Sequence, residues 1–167
     1  MKIGVQVDSD DLRRAYAAAP EVVREHLAAG VMEALFLLQR ETVERTPRAQ
    51  SLLANSIQAE PLEMRGTVIT GRYGTALAYA QPVEDGSRAH WAPLPPLLAW
   101  VKAKGLQPRK EGQTQEDIAR AIQFKIAAHG TKGAKMFERA LTENTAQVEQ
   151  ILNAAAARGV EAVAGMA

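Results

Sequence analysis

The apolar positions of this chain follow two rhythms. Between Lys2 and Val7, the residues Ile3, Val5 and Val7 alternate with polar or small ones, the period of a short strand with one buried face. Asp8-Ser9-Asp10 then offers side-chain acceptors to orphan backbone N–H groups, which predicts a helix from Asp10 to Ala18. A much longer helix opens at Pro20. Its apolar residues Val23, Leu27, Val31, Leu35 and Leu38 recur every three or four positions and share one stripe. It is expected to end near Arg45, because the residue before Pro47 avoids the α region. Gly30, in its middle, costs roughly 1 kcal/mol against Ala unless a close packing contact offsets it.

Residues 48–57 read as a helical turn or loop that carries Leu52, Leu53 and Ile57 inward. From Ile57 to Gly71 the pattern is strand, turn, strand, with Glu63–Gly66 as the connection and β-branched Thr67-Val68-Ile69-Thr70 behind it. Tyr73 to Val83 predicts another strand, with Pro82 near its end, where a lost ladder donor matters least. Asp85-Gly86-Ser87 signals a tight turn. Pro95 and Pro96 then lead into a short helix carrying Leu97, Leu98, Trp100 and Val101. A polar loop follows from Gln107 to Thr114. Thr114 and Asp117 resemble a capping box for a helix that places Ile118, Ala121, Ile122, Lys125 and Ile126 near one another and ends at Gly130. Met136, Phe137 and Leu141 share a face between Gly133 and Leu141. A separate alanine-rich helix is expected from Glu143 to about Val163.

These elements predict an α+β fold: a small antiparallel sheet packed against a long N-terminal helix, with additional C-terminal helices. A chain of 167 residues fits a single domain, 1–167, in which 143–167 forms a peripheral helix. With 47% hydrophobic but only 5% aromatic residues, the core must be built from Ala, Leu, Val and Ile. The absence of cysteine excludes disulfides and thiolate metal sites. The opening MKIGVQVDSDD has no apolar stretch of the signal-peptide kind. The longest apolar run, Ala34 to Leu38, is far shorter than the ~20 residues that span a bilayer. A soluble protein with no membrane partner is expected.

A net charge of +1 gives the whole chain no nucleic-acid footprint. Its distribution is uneven. Residues 88–139 hold ten Lys or Arg against four Asp or Glu, whereas both flanking stretches are net acidic. A solvated helix face accounts for such a run, and so does one half of a charge-complementary contact between identical subunits.

Reaction chemistry has little foothold. His26 has no second ligand four residues away, as a zinc helix requires. His90 stands near Glu84 and Asp85, the elements of an acid–base pair. His129 sits at a helix C-terminus, where the dipole favours a positive ring. His129-Gly130-Thr131-Lys132-Gly133 fails the spacing of a phosphate loop, and a helix–turn–helix with a capping glycine explains it better. Ser51, Ser56 and Ser87 lack the G-x-S-x-G elbow. Glu84-Asp85 has no further carboxylates nearby to complete a divalent-ion site. No catalytic residue, cofactor or metal is expected. Trp100 reads as core, while Trp91, among prolines, fits either core or a subunit interface.

The order of several short motifs resembles the neck, or tail-completion, proteins of long-tailed bacteriophages, also known as head–tail joining or minor tail proteins. The motifs are Tyr79-Ala80, Val83-Glu84, Gly86-Ser87, the proline-rich lead into Leu97–Trp100, Ile118-Ala119 to Ile126, Gly130-Thr131-Lys132, Met136-Phe137 and Ala140-Leu141, with Thr46-Pro47 and Leu53…Ser56-Ile57 upstream. The likeness spans roughly residues 20–142. This chain departs from the family at Asp85, where an aromatic is usual, and at Gln50 or Ser51, where a glycine is usual.

The resemblance implies a non-enzymatic virion component, assembled in the host cytoplasm, whose subunits close a ring, six-fold in the family, where tail meets head connector. It implies a head-closure or connector protein on one side and a tail terminator or tail tube on the other; with so small a net charge, any contact with DNA is expected to be weak and lumenal. Trp91, Arg109, Lys110, Lys132 and Lys135 are the candidate interface residues. The alternatives are a tail terminator of the same phage region and, in a different class, a small nucleic-acid-binding module using Arg109, Lys110, Lys125, Lys132 and Lys135. A hydrolase built on Glu84 and His90 is the weakest reading.

Overall fold

The computed structural model describes residues 9–47 and 51–166; the strand expected over 2–7 and Gln50 lie outside the described residues. The α+β class holds. Helices α1 (Asp10–Ala18) and α2 (Pro20–Arg45) lie within the expected bounds. Ser9 caps α1 by accepting the Leu12 N–H at 3.1 Å. Then follow α3 (Leu52–Ser56), the short strands β1 (Gln58–Ala59), β2 (Glu63–Arg65), β3 (Val68–Thr70) and β4 (Tyr73–Gly74), α4 (Ala80–Asp85), β5 (Gly86–Ser87), α5 (Leu94–Ala103), α6 (Gln115–His129), β6 (Thr131–Lys132) and α7 (Met136–Ala164). The chain forms two compact units. The first gathers 1–44, 57–75 and 137–167; the second gathers 45–56 and 76–136.

The first unit is built on α2 and α7. Leu12 and Ala15 of α1 join Val23 and Ala156 in one buried cluster, with Leu27, Val160 and Val163 around it. Ala34, Leu37, Leu38 and Val148 form a second cluster, flanked by Leu141, Ile151 and Leu152. Between the two clusters Gly30 faces Ala155 so closely that an added Cβ would overlap the Ala155 Cβ. The mid-helix glycine is thus explained by packing. The stripe read from the sequence is only part of what α2 buries: Gly30, Ala34, Leu37 and Thr42 are buried too. Its Val31 and Leu35 meet Gly71.

Instead of one sheet, the strands form three separate two-stranded antiparallel ribbons. Two of them, β1·β4 and β2·β3, are the outer and inner parts of one long hairpin in the first unit. Glu63–Arg65, expected as the connection, is strand, and Gly66-Thr67 makes the turn between the paired Arg65 and Val68. The hairpin is tied to α2 by polar contacts: Gln39 Oε1 accepts the Ala59 N–H at 3.0 Å, and Thr42 Oγ1 lies 3.2 Å from the Tyr73 hydroxyl. Phe137 packs against Tyr73 with ring centroids 5.6 Å apart.

Four other expectations change. Only Tyr73–Gly74 of the strand expected over Tyr73–Val83 pairs, and the chain is helical from Ala80. Pro82 stands in the first turn of that helix, where a missing N–H has no partner to lose. Leu52 is 62% exposed, unlike buried Leu53 and Ile57. Trp100, expected as core, is 38% exposed, and α5 buries Val101 instead. The segments 133–141 and 143–163 are not separate, because α7 runs unbroken for 29 residues. Ser51, at one of the two positions where the resemblance expects glycine, has φ 58, a left-handed geometry that glycine adopts most readily.

Gly30→Ala is expected to destabilise the protein by about 1–3 kcal/mol through overpacking, although alanine is the better helix former. Adding Ala155→Gly should return stability to within about 1 kcal/mol of the parent. Chemical denaturation followed by circular dichroism measures both.

Candidate functional site

Two segments distant in sequence, 84–89 and 130–135, lie backbone against backbone in the second unit. β5 pairs with β6, setting Gly86 opposite Lys132 and Ser87 opposite Thr131. Glycine makes this approach possible. A Cβ on Gly86 would strike the Thr131 carbonyl oxygen, one on Gly130 the Ser87 carbonyl oxygen, and one on Gly133 the Glu84 carbonyl oxygen. Gly86 (φ 84, ψ −178) and Gly130 (φ 69, ψ −158) also occupy backbone space that is essentially reserved for glycine.

Hydrogen bonds close the clamp. Ala134 N–H donates to the Val83 carbonyl at 2.8 Å, and Lys135 N–H to the Glu84 carbonyl at 3.0 Å. Ser87 N–H donates to Thr131 Oγ1 at 3.0 Å, and the two hydroxyls are 2.9 Å apart. The Lys135 ammonium meets Asp85 at 3.0 Å. Asp85 thus adds an exposed ion pair to the clamp.

The clamp sets the course of the next segment. His90 N–H donates to the Ile126 carbonyl at 3.4 Å, and buried Gln123 donates its side-chain amide to the Ala92 carbonyl at 2.6 Å. Between these two anchors Trp91 lies edge to face with Phe124 of α6, centroids 5.4 Å apart and planes at 82°. Held this firmly, Trp91 is nonetheless 61% exposed and Phe124 62%. Large aromatics on a rigid base facing solvent are the side chains that anchor protein interfaces. Lys125 and Arg88 are exposed nearby in the sequence.

The residues singled out in the sequence thus divide. Ala80 is buried in α4, behind exposed Tyr79; Val83 and Glu84 supply clamp carbonyls; Gly86 and Ser87 form its strand. Phe137 and Leu141 are partly buried in the first unit, Phe137 against Tyr73 and Leu141 against the Ala34–Leu37–Leu38–Val148 cluster. Lys132 and Lys135 sit on the clamp, whereas Arg109 and Lys110 lie in the exposed 107–114 loop. The predicted α6 face is corrected: Ala119, Gln123 and Ile126 are buried, while Ala121 and Lys125 are exposed. Phe124 was missed, although it stands out of phase with Ile118, Ile122 and Ile126 and so had to face elsewhere.

Two of the acid–base elements have other partners. His90 Nδ1 lies 2.9 Å from the Arg88 carbonyl and 3.4 Å from Ser87 Oγ, while Asp85 is paired with Lys135. With Nδ1–H donated to that carbonyl, the nitrogen has no lone pair left to take the serine proton. The segment expected as a plain helix–turn–helix around Gly130 contains β6 instead. Among the described residues, no three metal-ligating side chains form a group and no helix is long and apolar enough to cross a membrane.

In comparisons with protein-family models, curated proteins and solved structures, none matched this chain.

Gly86→Ala and Gly130→Ala should each destabilise the second unit by at least about 2 kcal/mol, while Lys135→Ala should cost no more than about 1 kcal/mol, as exposed ion pairs do. Thermal melts of the three variants test the contrast.

The expected capping box starts α6. Thr114 backbone and hydroxyl both donate to Asp117 at 2.8 Å, and that backbone hydrogen bond leads in holding the Asp117 carboxyl below its ordinary value of 3.8. A depressed folded value means the cap contributes fully above 3.8 and is lost as pH falls below that value. Asp117→Asn should weaken α6 at neutral pH and flatten the acid limb of its helicity. An unchanged acid limb in that variant would assign the transition to other carboxylates.

Proposed function

We propose that this chain is a structural, non-enzymatic subunit of the neck of a long-tailed bacteriophage, forming a ring that joins the tail to the head connector and completes the tail. The observation that carries the reading is the clamp. The motif blocks 79–87 and 130–136, on which the resemblance rests, meet in space through three glycines. The shared pattern then encodes a rigid scaffold, not a reaction centre.

Charge supports assembly with copies of itself. The second unit holds eleven Lys or Arg against five Asp or Glu, and the first holds nine against fourteen. A ring is built from heterologous contacts, in which two different surfaces of one subunit meet those of its neighbours. Oppositely charged units on one chain provide two such surfaces. The ends of the ring would meet the head-closure protein and the tail terminator or tube, and DNA contact in the lumen would be weak and salt-sensitive.

A tail terminator in the adjacent layer is the nearest rival. The basic second unit favours a further reading from another class, a nucleic-acid-binding module. Light scattering over a concentration series, with negative-stain imaging, separates the classes. A closed ring of about six subunits is the expected result. A monomer that binds free DNA tightly at moderate salt would replace the ring with the nucleic-acid module.

A further inference from the structure

The aromatic pair has a counterpart on the first unit. Between α2 and α7, an open groove of about 600 Å³ is lined by Met32, Phe36, Leu37 and Ile151, together with the charged Glu33 and Arg40. Phe36 is 57% exposed there. Glu33 is held only loosely, its carboxylate 3.8 Å from Arg158. The molecule therefore carries a protruding aromatic edge on its basic unit and an apolar groove on its acidic one.

We propose that Trp91 and Phe124 of one copy seat in the α2–α7 groove of the next copy, and that this is the repeating contact of the assembly. The inference rests on the ring reading above and names its interface. A second copy is the occupant because both halves are on one chain and so occur in equal number. The unit bearing the pair is net basic and the unit bearing the groove net acidic, so the contact neutralises charge that neither unit neutralises internally. Lys125, next to Phe124, is exposed and adds positive charge beside the pair, and Arg40, hydrogen-bonded to Glu41 at 3.1 Å, brings a guanidinium to the groove that can lie against an aromatic face. The two surfaces differ, so the contact is heterologous and passes from copy to copy.

Because these 167 residues contain no cysteine, the contact can be trapped cleanly. Ala121→Cys lies one turn before Phe124 on α6, and Ala29→Cys lines the groove; both alanines are exposed and neither aromatic is altered. The two variants are mixed at low salt and treated with a short bismaleimide, with circular dichroism confirming the fold of each.

The expected result is a cross-linked species in the mixture several-fold above either variant alone. Adding Phe124→Ser to the Ala121→Cys variant, or raising the salt, should remove most of it. Cross-linking of the mixture no faster than of the single variants overturns the proposal, and so does preferential self-linking of Ala121→Cys, which would indicate a symmetric face. Light scattering of the parent chain runs alongside. An intact oligomer without the mixed cross-link sinks this interface and leaves the ring standing, whereas a monomer without it sinks both.

Discussion

Two backbones approach closely only where no side chain stands between them. In the second unit that constraint is met three times across one short ribbon, at Gly86, Gly130 and Gly133, each against a carbonyl of the facing segment. The segment that follows the clamp is anchored on α6 beside it. The ribbon aims the chain along α6, Gln123 fixes the Ala92 carbonyl, and Trp91 comes to rest on Phe124. The first unit answers the same problem with Gly30 against Ala155. With few aromatics available for the interior, close approach of α2 and α7 takes the place of bulk. Five of the eight aromatic side chains, Phe36, Tyr79, Trp91, Trp100 and Phe124, are left at the surface.

Signals confined to a few neighbouring residues were legible in the sequence. The Ser9 cap, the Pro20 start of α2, the Thr114–Asp117 box and the Gly130 stop each work through contacts within one helical turn. Failures came where a distant partner decides. Tyr73–Val83 reads as a strand by composition, but only two of its residues find a partner in β1, and the remainder turns into α4. The break expected between 141 and 143 does not occur because no local signal in Thr142-Glu143 stops a helix, and Leu141, Val148 and Leu152 pack in the same cluster. The burial of Gln123 was invisible for a related reason. A polar side chain enters a core only when a specific acceptor waits there, and its acceptor is the carbonyl of a residue 31 positions away.

The candidate surface was half legible. Trp91 stood out as a lone tryptophan among prolines, and the basic middle of the chain was visible by counting. Phe124 was not, because an exposed aromatic on a helix gives no sign of its role until its neighbour across the fold is known. Charge shows the same limit. Along the sequence it appears as a basic block between acidic flanks; in the fold, the flanks gather into one unit and the block into another, so the asymmetry becomes a property of surfaces.

The way the chain threads its two units bears on how it is made. Both terminal thirds contribute to the first unit, and Gly30 must meet Ala155. At about 5–20 residues per second of synthesis, the apolar faces of α2 wait roughly 6–25 s for the helix that covers them. The second unit is complete in sequence by Met136, before most of α7 exists. During that interval the growing chain presents a finished basic unit and an uncovered apolar helix on the same molecule. A polysome carrying this message holds many such half-covered chains side by side, so the emergence of α7 decides whether α2 is covered by its own chain or by a neighbour's.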